Sequence, residues 1–258
     1  MSIIFDQLLC YLLIFVRMCG MLLTNPLFSR SNIPIQVRLI FVLTLSILIA
    51  PSLDSSSLSN FSDVDFVLAV LLEALTGIAI GMVFQLFYYM VLAIGDVIDF
   101  NLGLSMARVF DPGSNIQMSI SGTLLSAFFV LYLFSTDSHL ELIKVFASTY
   151  KIVPIGARAF ATEFGSFFSD LFAGLFSFVL KLALPFIIAQ FILEASMGIL
   201  MKIVPQIHVF VMNIQMKLLL GLSLMFLLAA PVSGFLDKYI SVLFSSFDSA
   251  LKSIASSG

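Results

Sequence analysis

The sequence predicts an all-α fold: a hydrophobic chain of about six main helical elements, some of them kinked or broken. Two of the three supporting observations concern composition. Of the 258 residues, 60% are hydrophobic and 10% are charged, whereas a soluble globular domain is about 45–50% apolar and about 25% charged. The mean hydropathy is +1.14. The third observation is that the apolar residues form long runs, several of which reach the roughly 20 residues of a spanning helix. Such a chain lies in a membrane or is buried inside a larger assembly.

Six apolar runs mark the helical elements. They cover residues 3–24, 39–50, 66–94, 120–134, 171–201 and 207–236. The first run has the length of one spanning helix, the third and the last two are longer, and the second and fourth are short for spanning alone. Because the lengths are so uneven, we do not expect a simple bundle in which every helix crosses a flat bilayer.

The first two linkers differ in charge. Residues 25–38 hold two prolines and two arginines, whereas residues 51–65 are acidic and serine-rich, with no Lys or Arg. Short cytoplasmic loops are enriched in Lys and Arg. We therefore expect the first linker to face the cytoplasm, the second to face the outside, and both chain ends to lie outside.

Two further segments show helical spacing. Residues 135–170 contain one apolar face around Leu142 and Phe146 and another around Phe160 and Phe164, spaced as in an amphipathic helix. The tail has a longer face. It consists of Ile240, Leu243, Phe244, Phe247, Leu251 and Ile254. Two interpretations of the tail remain open: a helix lying on a membrane surface, or a helix that docks on partner subunits.

Charged residues lie within or at the ends of the apolar runs. They are Arg17, Glu73, Lys181, Glu194, Lys202 and Lys217. A charged side chain such as Arg, Lys or a carboxylate costs about 2.5–3.5 kcal/mol at the centre of a bilayer on insertion scales. These charges therefore face protein, water or one another. Pairing within the fold and snorkelling at helix ends are two explanations, and packing in an assembly or beside a water-filled channel is a third.

Prolines and glycines add to this picture. Pro185 interrupts the fifth run, where we expect a kink, and Pro205, followed by Gln206, breaks the chain between the fifth and sixth runs. Gly77 and Gly81 form a small-xxx-small face, which allows two membrane helices to approach closely.

No catalytic or ligand-binding motif is recognisable. The two histidines are far apart, and the sequence has no zinc-binding, P-loop, dinucleotide or nucleophile-elbow pattern. Cys10 and Cys19 would lie on opposite faces of one helix, where they act as small apolar residues. We expect no enzyme activity, no cofactor and no metal, and the net charge of −3 does not favour nucleic acid. A small-solute transporter, with charges at a midplane site, is an alternative.

A polar stretch, "ARVFDPGSNIQMS" at residues 107–119, separates two apolar runs. Asp111-Pro112 disfavours helix, and Gly113 allows a sharp turn. From these residues alone, an ordinary turn between two membrane helices is one reading. A loop in a watery lumen is the other.

Four stretches resemble the FliR/SctT family of type III export-gate proteins. They are "NPLFSRSNIPIQVR" at 25–38, "EALTGIAIG" at 73–81, "GDVIDFNLGLSMARVFDPGSN" at 95–115 and "GILMKIVPQIHVFVMNIQMKLLLG" at 198–221. The last is the most specific, with Pro205, Gln206, Phe210 and Lys217 in register. The Asp-Pro-Gly loop is more similar to the flagellar branch. Gln215 departs from the family, in which proline is frequent there, so a kink before Lys217 is in doubt.

The resemblance implies a structural and gating subunit of the flagellar export channel, a helical and conical assembly. Expected partners are FliP-like and FliQ-like subunits, FlhB- and FlhA-like components, unfolded export substrates in transit and membrane lipid. The implied location is the bacterial inner membrane and the flagellar basal body, with part of the complex projecting to the periplasm. The equivalent gate of a virulence secretion system is an alternative.

The resemblance also implies a domain organisation. Residues 1–135 correspond to a FliP-like helical part, residues 136–170 to a connecting amphipathic segment, and residues 171–258 to a FliQ-like hairpin with its amphipathic tail. The segment 106–119, here called the plug loop, is expected to close the channel at rest. Its candidate residues are Arg108, Val109, Phe110, Asp111, Pro112, Gly113, Ser114, Asn115, Ile116 and Gln117.

Overall fold

A computed structural model of the chain describes residues 2–29, 33–53, 63–105, 119–156, 163–204 and 209–255. Within these ranges it contains eight α-helices and no β-strand, which confirms the all-α prediction. The helices are α1 (Ser2–Leu23), α2 (Ile35–Ile49), α3 (Asp63–Leu102), α4 (Ile120–Ser135), α5 (Ser138–Ile152), α6 (Glu163–Ile203), α7 (Val209–Leu227) and α8 (Ala229–Ala255).

The two helices beyond the six apolar runs arise at two sharp bends. Asp137 has a left-handed backbone, with φ of 55°, and the axes of α4 and α5 differ by 77° across it. The run at 207–236 divides into α7 and the start of α8, which are bent by 67°. Pro231 lies in the first turn of α8. N–H groups in a first turn have no partner within the helix, so proline costs no helical hydrogen bond there. Pro185, in contrast, does not end α6, which continues to Ile203.

The described helices form two compact units. The first consists of Met1–Phe87, Leu133–Phe172 and Ile240–Gly258. Its buried core draws on four helices: Leu13, Ile14 and Met18 of α1; Ile80, Val83 and Phe84 of α3; Phe146 of α5; and Leu243, Phe247 and Leu251 of α8.

The apolar face of the tail is buried inside this first unit. Leu243, Phe247 and Leu251 are fully buried, and the Phe247 ring packs edge-to-face on Phe146 of α5, with centroids 6.5 Å apart. The chain itself therefore covers this face. The two interpretations made from the sequence, a membrane surface and a partner subunit, were wrong for it, because periodicity reveals an apolar face but not what covers it.

The second unit consists of Tyr88–Tyr132 and Ala173–Tyr239. Tyr239 is fully buried at its centre. The Tyr239 ring lies 6.1 Å from Phe129 of α4, 5.8 Å from Phe178 of α6 and 5.5 Å from Phe235 of α8. This aromatic cluster joins the three helices. The two units are built from discontinuous stretches, a different division from the three sequential parts expected above, which remain a prediction.

Two of the described helices are long and apolar enough to cross a membrane, at Val64–Leu102 and Glu163–Ile203, and there are up to four spans if each bent pair counts as one. Two shorter apolar stretches, Gln7–Leu23 of α1 and Ile35–Ile49 of α2, fall below the length of a spanning helix. The uneven run lengths thus reappear as uneven helices.

Candidate functional site

The first unit contains a buried ion pair between α1 and α3. Arg17 is 1% exposed and Glu73 is 2% exposed. The Arg17 Nε and Nη2 atoms both donate to the Glu73 carboxylate, the latter at 2.9 Å. This two-pronged geometry is the strongest that an Arg–carboxylate pair offers. The structure thus brings together two of the charges singled out in the sequence.

The same pair holds the C-terminal end of α5. Arg17 Nη1 donates to the carbonyl oxygens of Thr149 and Val153, at 3.3 and 2.8 Å, and Nη2 donates to that of Pro154 at 3.4 Å. Glu73 accepts the N–H of Gly156 at 2.9 Å. Carbonyls at a helix C-terminus carry partial negative charge, so the guanidinium acts as a cap supplied by another helix.

Close glycine contacts set the distance between α1 and α3. A Cβ at Gly20 would lie 2.8 Å from the backbone of Gly77, and one at Gly77 would overlap the carbonyl of Arg17. Gly81 contacts Thr24 one turn further along. Since contacts move in the same direction along both helices, α1 and α3 run parallel, and their backbones nearly touch.

A second buried carboxylate, Asp99, joins α3 to the start of α4 in the second unit. It is 1% exposed. Its Oδ2 accepts the Ser119 hydroxyl and the Ile120 N–H, both at 2.7 Å, and its Oδ1 accepts the Ser121 N–H at 3.2 Å. Backbone N–H groups at a helix start favour an anion, so Asp99 serves as a capping residue from a neighbouring helix.

The α3–α4 and α3–α7 contacts of this unit rely on glycine as well. A Cβ at Gly95 would overlap the backbone of Gly122. Two turns further along α3, the Leu102 side chain occupies the space that a Cβ at Gly221 of α7 would need. The end of α3 is thereby packed closely against two helices.

An exposed charge pair links α6 to α7. Lys217 Nζ donates to Glu194 Oε1 at 2.6 Å, and Gln190 Nε2 donates to the same oxygen at 2.9 Å. The Glu194 side chain is 52% exposed and that of Lys217 is 18% exposed. A pair with this exposure is screened by its surroundings and contributes little to stability.

Three of the six charges predicted to face protein, water or one another are exposed on this chain. Lys181, Glu194 and Lys202 all lie on the outward side of α6, and Lys181 Nζ is 5.7 Å from the ring of Phe178. The reason is that α6 contacts the rest of the chain along only a narrow strip of its surface. Its buried positions (Leu175, Val179, Ala183, Phe186, Gln190, Leu193 and Met197) cover an arc of only about 80° at 3.6 residues per turn.

Comparison with known proteins decides the family. Residues 8–243 match the family described as bacterial export proteins, family 1. The chain belongs to this family. Its relatives include the flagellar biosynthetic protein FliR of Escherichia coli (strain K12), 29% identical over 231 residues, or 89% of this chain and 87% of the relative. FliR of Bacillus subtilis (strain 168) is 26% identical over 222 residues, or 84% and 85%. FliR of Aquifex aeolicus (strain VF5) is 25% identical over 255 residues, or 97% of each.

The FliR-family resemblance inferred from the sequence is confirmed. This family 1 export protein is a component of the flagellar export apparatus, and its apolar helices are those of an inner-membrane protein. Among the residues that the structure describes, no group of three His, Cys, Asp or Glu side chains could hold a metal ion.

Several predicted residues of this family 1 export protein lie outside the described ranges. They are all ten plug-loop candidates from Arg108 to Gln117, together with Pro205 and Gln206. Of the plug loop, Ser119 alone is described. It is buried and forms the start of α4.

Sequence reasoning missed residues that the structure makes prominent. Asp99 and Tyr150 were not singled out, although the Tyr150 ring lies 4.5 Å from the Arg17 guanidinium and its hydroxyl donates to the Ile14 carbonyl at 3.0 Å. Gly20 and Gly122 were missed as well. An acidic residue within an otherwise apolar helix was a usable signal for Asp99, and it had already been used for Glu73.

Proposed function

We propose that this chain is a structural and gating subunit of the flagellar type III protein-export channel, and that the plug loop closes the channel at rest. In this proposal its partners are FliP-like and FliQ-like subunits, with FlhB- and FlhA-like components beside them and unfolded substrates passing through. The assembly lies in the inner membrane with part of it on the periplasmic side. The chain contributes structure and closure rather than catalysis.

The exposed apolar surface of α6 is the main support for the proposed subunit role. α6 has 41 residues and is about 60 Å long at 1.5 Å per residue, twice the roughly 30 Å of the hydrocarbon layer. Large exposed apolar side chains recur from Phe172 to Ile203, over about 46 Å. At an ordinary tilt of about 20°, lipid covers only part of this surface. The remainder needs protein against it.

The exposed charges of α6 support the same conclusion. Lys181, Glu194 and Lys202 lie along the apolar surface, spread over about 32 Å of helix. A layer of about 30 Å leaves at least one of them near its interior unless the helix end projects from it. Partner side chains or a water-filled lumen would remove the cost of about 2.5–3.5 kcal/mol that lipid would impose on each.

The plug role is supported by the chemistry of the loop. Its polar side chains tolerate a watery lumen, and Val109, Phe110 and Ile116 offer apolar contacts to a surrounding ring of partner residues. A seal made of many weak contacts can open without unfolding the subunit, because each contact costs little to break.

Co-purification tests the subunit role. A tagged chain extracted from its own membrane in mild detergent should bring FliP-like and FliQ-like proteins with it, identified by mass spectrometry. A control with an unrelated tagged membrane protein sets the background. A stable, monodisperse chain that carries no such partners would contradict the proposal.

Deletion of Arg108–Gln117 tests the plug. The complex should assemble in normal amount, and membranes with idle export should leak ions. Replacement of the same ten positions by Gly and Ser keeps the length of the connection and removes the side chains. A leak in both variants assigns the seal to the side chains, and a leak in the deletion alone assigns it to the backbone loop. Unchanged conductance in the deletion refutes the plug role.

A further inference from the structure

We propose that one face of α6 is a lipid-facing surface, and that Lys181 and Lys202 mark the two edges of the hydrocarbon layer along it. The partner of this surface is phospholipid. Its acyl chains cover the apolar side chains between the two lysines, and its headgroup phosphates bind the two ammonium groups. This lipid contact goes beyond the proposed function and is independent of the plug loop and of channel closure.

Both lysines lie on the side of α6 that faces away from its own chain. The buried positions of α6 between Leu175 and Met197 fall on one arc of the helix. At 3.6 residues per turn, Lys181 and Lys202 lie within about 40° of the direction opposite to the centre of that arc. Both side chains are exposed, and neither forms an ion pair with another described residue. Each ammonium group is therefore available to a partner outside the chain.

The spacing of the two lysines matches the thickness of the hydrocarbon layer. The rise from Lys181 to Lys202 is about 32 Å along the helix. At an ordinary tilt of about 20°, the distance across the membrane is about 30 Å, which is the thickness of a typical hydrocarbon layer. Lysine side chains at such positions lie along apolar surface and extend their charge to the headgroups. The two lysines therefore fit opposite surfaces of one bilayer.

The outward strip of α6, here the exposed positions between the lysines that lie farthest from the buried arc, is apolar. It consists of Leu184, Ile188, Phe191, Ile192, Ala195 and Ile199. The large side chains of this set are 48% to 73% exposed, and the most exposed, Phe191, lies at the midpoint between the lysines. Before Lys181, the same side of the helix carries only small residues, Ala173, Gly174 and Ser177. The large apolar side chains thus begin at one lysine and continue to the other, over the length that a bilayer requires.

The one charged residue between the lysines, Glu194, lies off the outward strip. At 3.6 residues per turn it is about 120° from the outward direction, on the side where α7 packs. Lys217 of α7 donates to its carboxylate at 2.6 Å, and Gln190, itself 6% exposed, donates to it at 2.9 Å. Glu194 therefore belongs to the contact between α6 and α7, and the outward strip carries no charge between its two ends.

A protein partner fits the outward strip less well than lipid does. A partner helix would need two acidic side chains about 32 Å apart, or it would leave two charges unpaired beside an apolar contact, which is costly. A bilayer offers phosphates at both of its surfaces with this spacing. It also places its centre, where charged groups cost most, at Phe191, the most exposed side chain of the strip.

Spin labels test the position of the strip in the bilayer. The complete complex is reconstituted into vesicles of phosphatidylethanolamine and phosphatidylglycerol. The chain carries Cys10→Ala and Cys19→Ala, and one cysteine at a time is introduced in the strip or at its edges: Ser177→Cys, Leu184→Cys, Phe191→Cys, Ile199→Cys or Ile203→Cys. The depth of each label is measured from its collision rates with oxygen, which concentrates in hydrocarbon, and with a water-soluble nickel chelate.

We expect the Phe191→Cys label to be the deepest, about 15 Å from each edge of the hydrocarbon layer. The Leu184→Cys and Ile199→Cys labels are equally far from the midpoint, so both should lie about 11 Å shallower. The Ser177→Cys and Ile203→Cys labels lie beyond the two lysines and should be reached readily by the nickel chelate.

Phe191→Ala tests the same contact without a label. Because fluid acyl chains adapt to a smaller side chain, the amount of assembled complex should stay within roughly twofold of the parent, as for a surface substitution. Phe186→Ala is the matched control on α6, since Phe186 is 4% exposed. It should lower the amount of complex roughly tenfold or more, because it leaves a cavity in the core.

Labels in the strip that are shielded from both oxygen and nickel would show that protein covers it and would overturn the proposal. Labels reached by nickel along the whole strip, or a deepest label away from Phe191, would overturn it as well. If the chain without Cys10 and Cys19 does not assemble, Phe191→Ala in the parent chain decides the matter, and a loss of complex equal to that of Phe186→Ala refutes the lipid contact. Label depth and resting ion leak are separate measurements, so the lipid contact and the plug role can fail independently.

Discussion

Replacement of Arg17 by methionine tests the buried network of the first unit. Met keeps a long apolar side chain in the space between α1 and α3 but removes all five hydrogen bonds of the guanidinium. Glu73, 2% exposed, then keeps the Gly156 N–H as a donor but no counter-charge. The carbonyls of Val153 and Pro154 lose the donor described above.

The expected loss of stability is large. Breaking a buried pair by removing one partner costs about 3–5 kcal/mol, and each carbonyl left without its donor adds about 1–3 kcal/mol. The double variant Arg17→Met/Glu73→Leu removes the isolated charge. It leaves two carbonyls without their donor and the Gly156 N–H without its acceptor, about 3–9 kcal/mol in sum for three such groups, against about 5–11 kcal/mol for Arg17→Met, where the isolated charge is added to the two carbonyls. The double variant should therefore be more stable than Arg17→Met alone.

The assay is thermal dissociation of the detergent-purified complex, followed on native gels after heating. Lys144→Met, an exposed change on α5, is the control and should stay within about 0.5 kcal/mol of the parent. If Arg17→Met dissociates at the temperature of this control, or if the double variant is the least stable of the three, the reasoning about a buried charge pair is refuted.

Three further predictions concern individual positions. Gly77→Ala should force α1 away from α3 and reduce the yield of assembled complex. Gly174→Ala is the control, because its added methyl group has no neighbouring atom within 4 Å, and it should be neutral or stabilising by up to about 1 kcal/mol. Equal yields of the two variants would contradict the close approach of α1 and α3. Asp137→Gly should relieve up to about 1–2 kcal/mol of left-handed backbone strain and so raise the dissociation temperature of the complex. A lower dissociation temperature would show that the Asp137 side chain contributes more to stability than the backbone strain costs. Glu194→Gln and Lys217→Met should each cost at most about 1 kcal/mol in the isolated subunit, measured by thermal aggregation, and a larger loss would contradict the exposure of the pair.

The helices were predictable because the information that forms them is local. Apolar runs and helical spacing identify α1, α3 and α6, and the faces of α5 and α8, without reference to the rest of the chain. The extra break at Asp137 was not predictable in the same way. A left-handed aspartate leaves only a weak trace in the sequence, since Asp tolerates that conformation without requiring it.

The partners of the buried residues were not predictable, because they depend on tertiary register. Arg17 and Glu73 were both recognised as charges that cannot face lipid, but their pairing across 56 residues follows from the parallel glycine crossing. Lys181 and Lys202 were expected on the same grounds to face protein, water or one another, and in this chain both lie exposed on α6. An apolar run shows that a residue belongs to a hydrophobic helix and does not show which arc of that helix contacts its own chain.

The cap that Arg17 provides for α5 has a consequence for how the protein is made. Arg17 is synthesised first, Glu73 later, and the carbonyls of Thr149, Val153 and Pro154 last. Until Glu73 emerges, α1 carries an uncompensated charge that costs about 2.5–3.5 kcal/mol in a bilayer. Insertion of α1 is therefore easier in company with α3, and the ribosome must complete more than half of the chain before this first helix reaches its final surroundings.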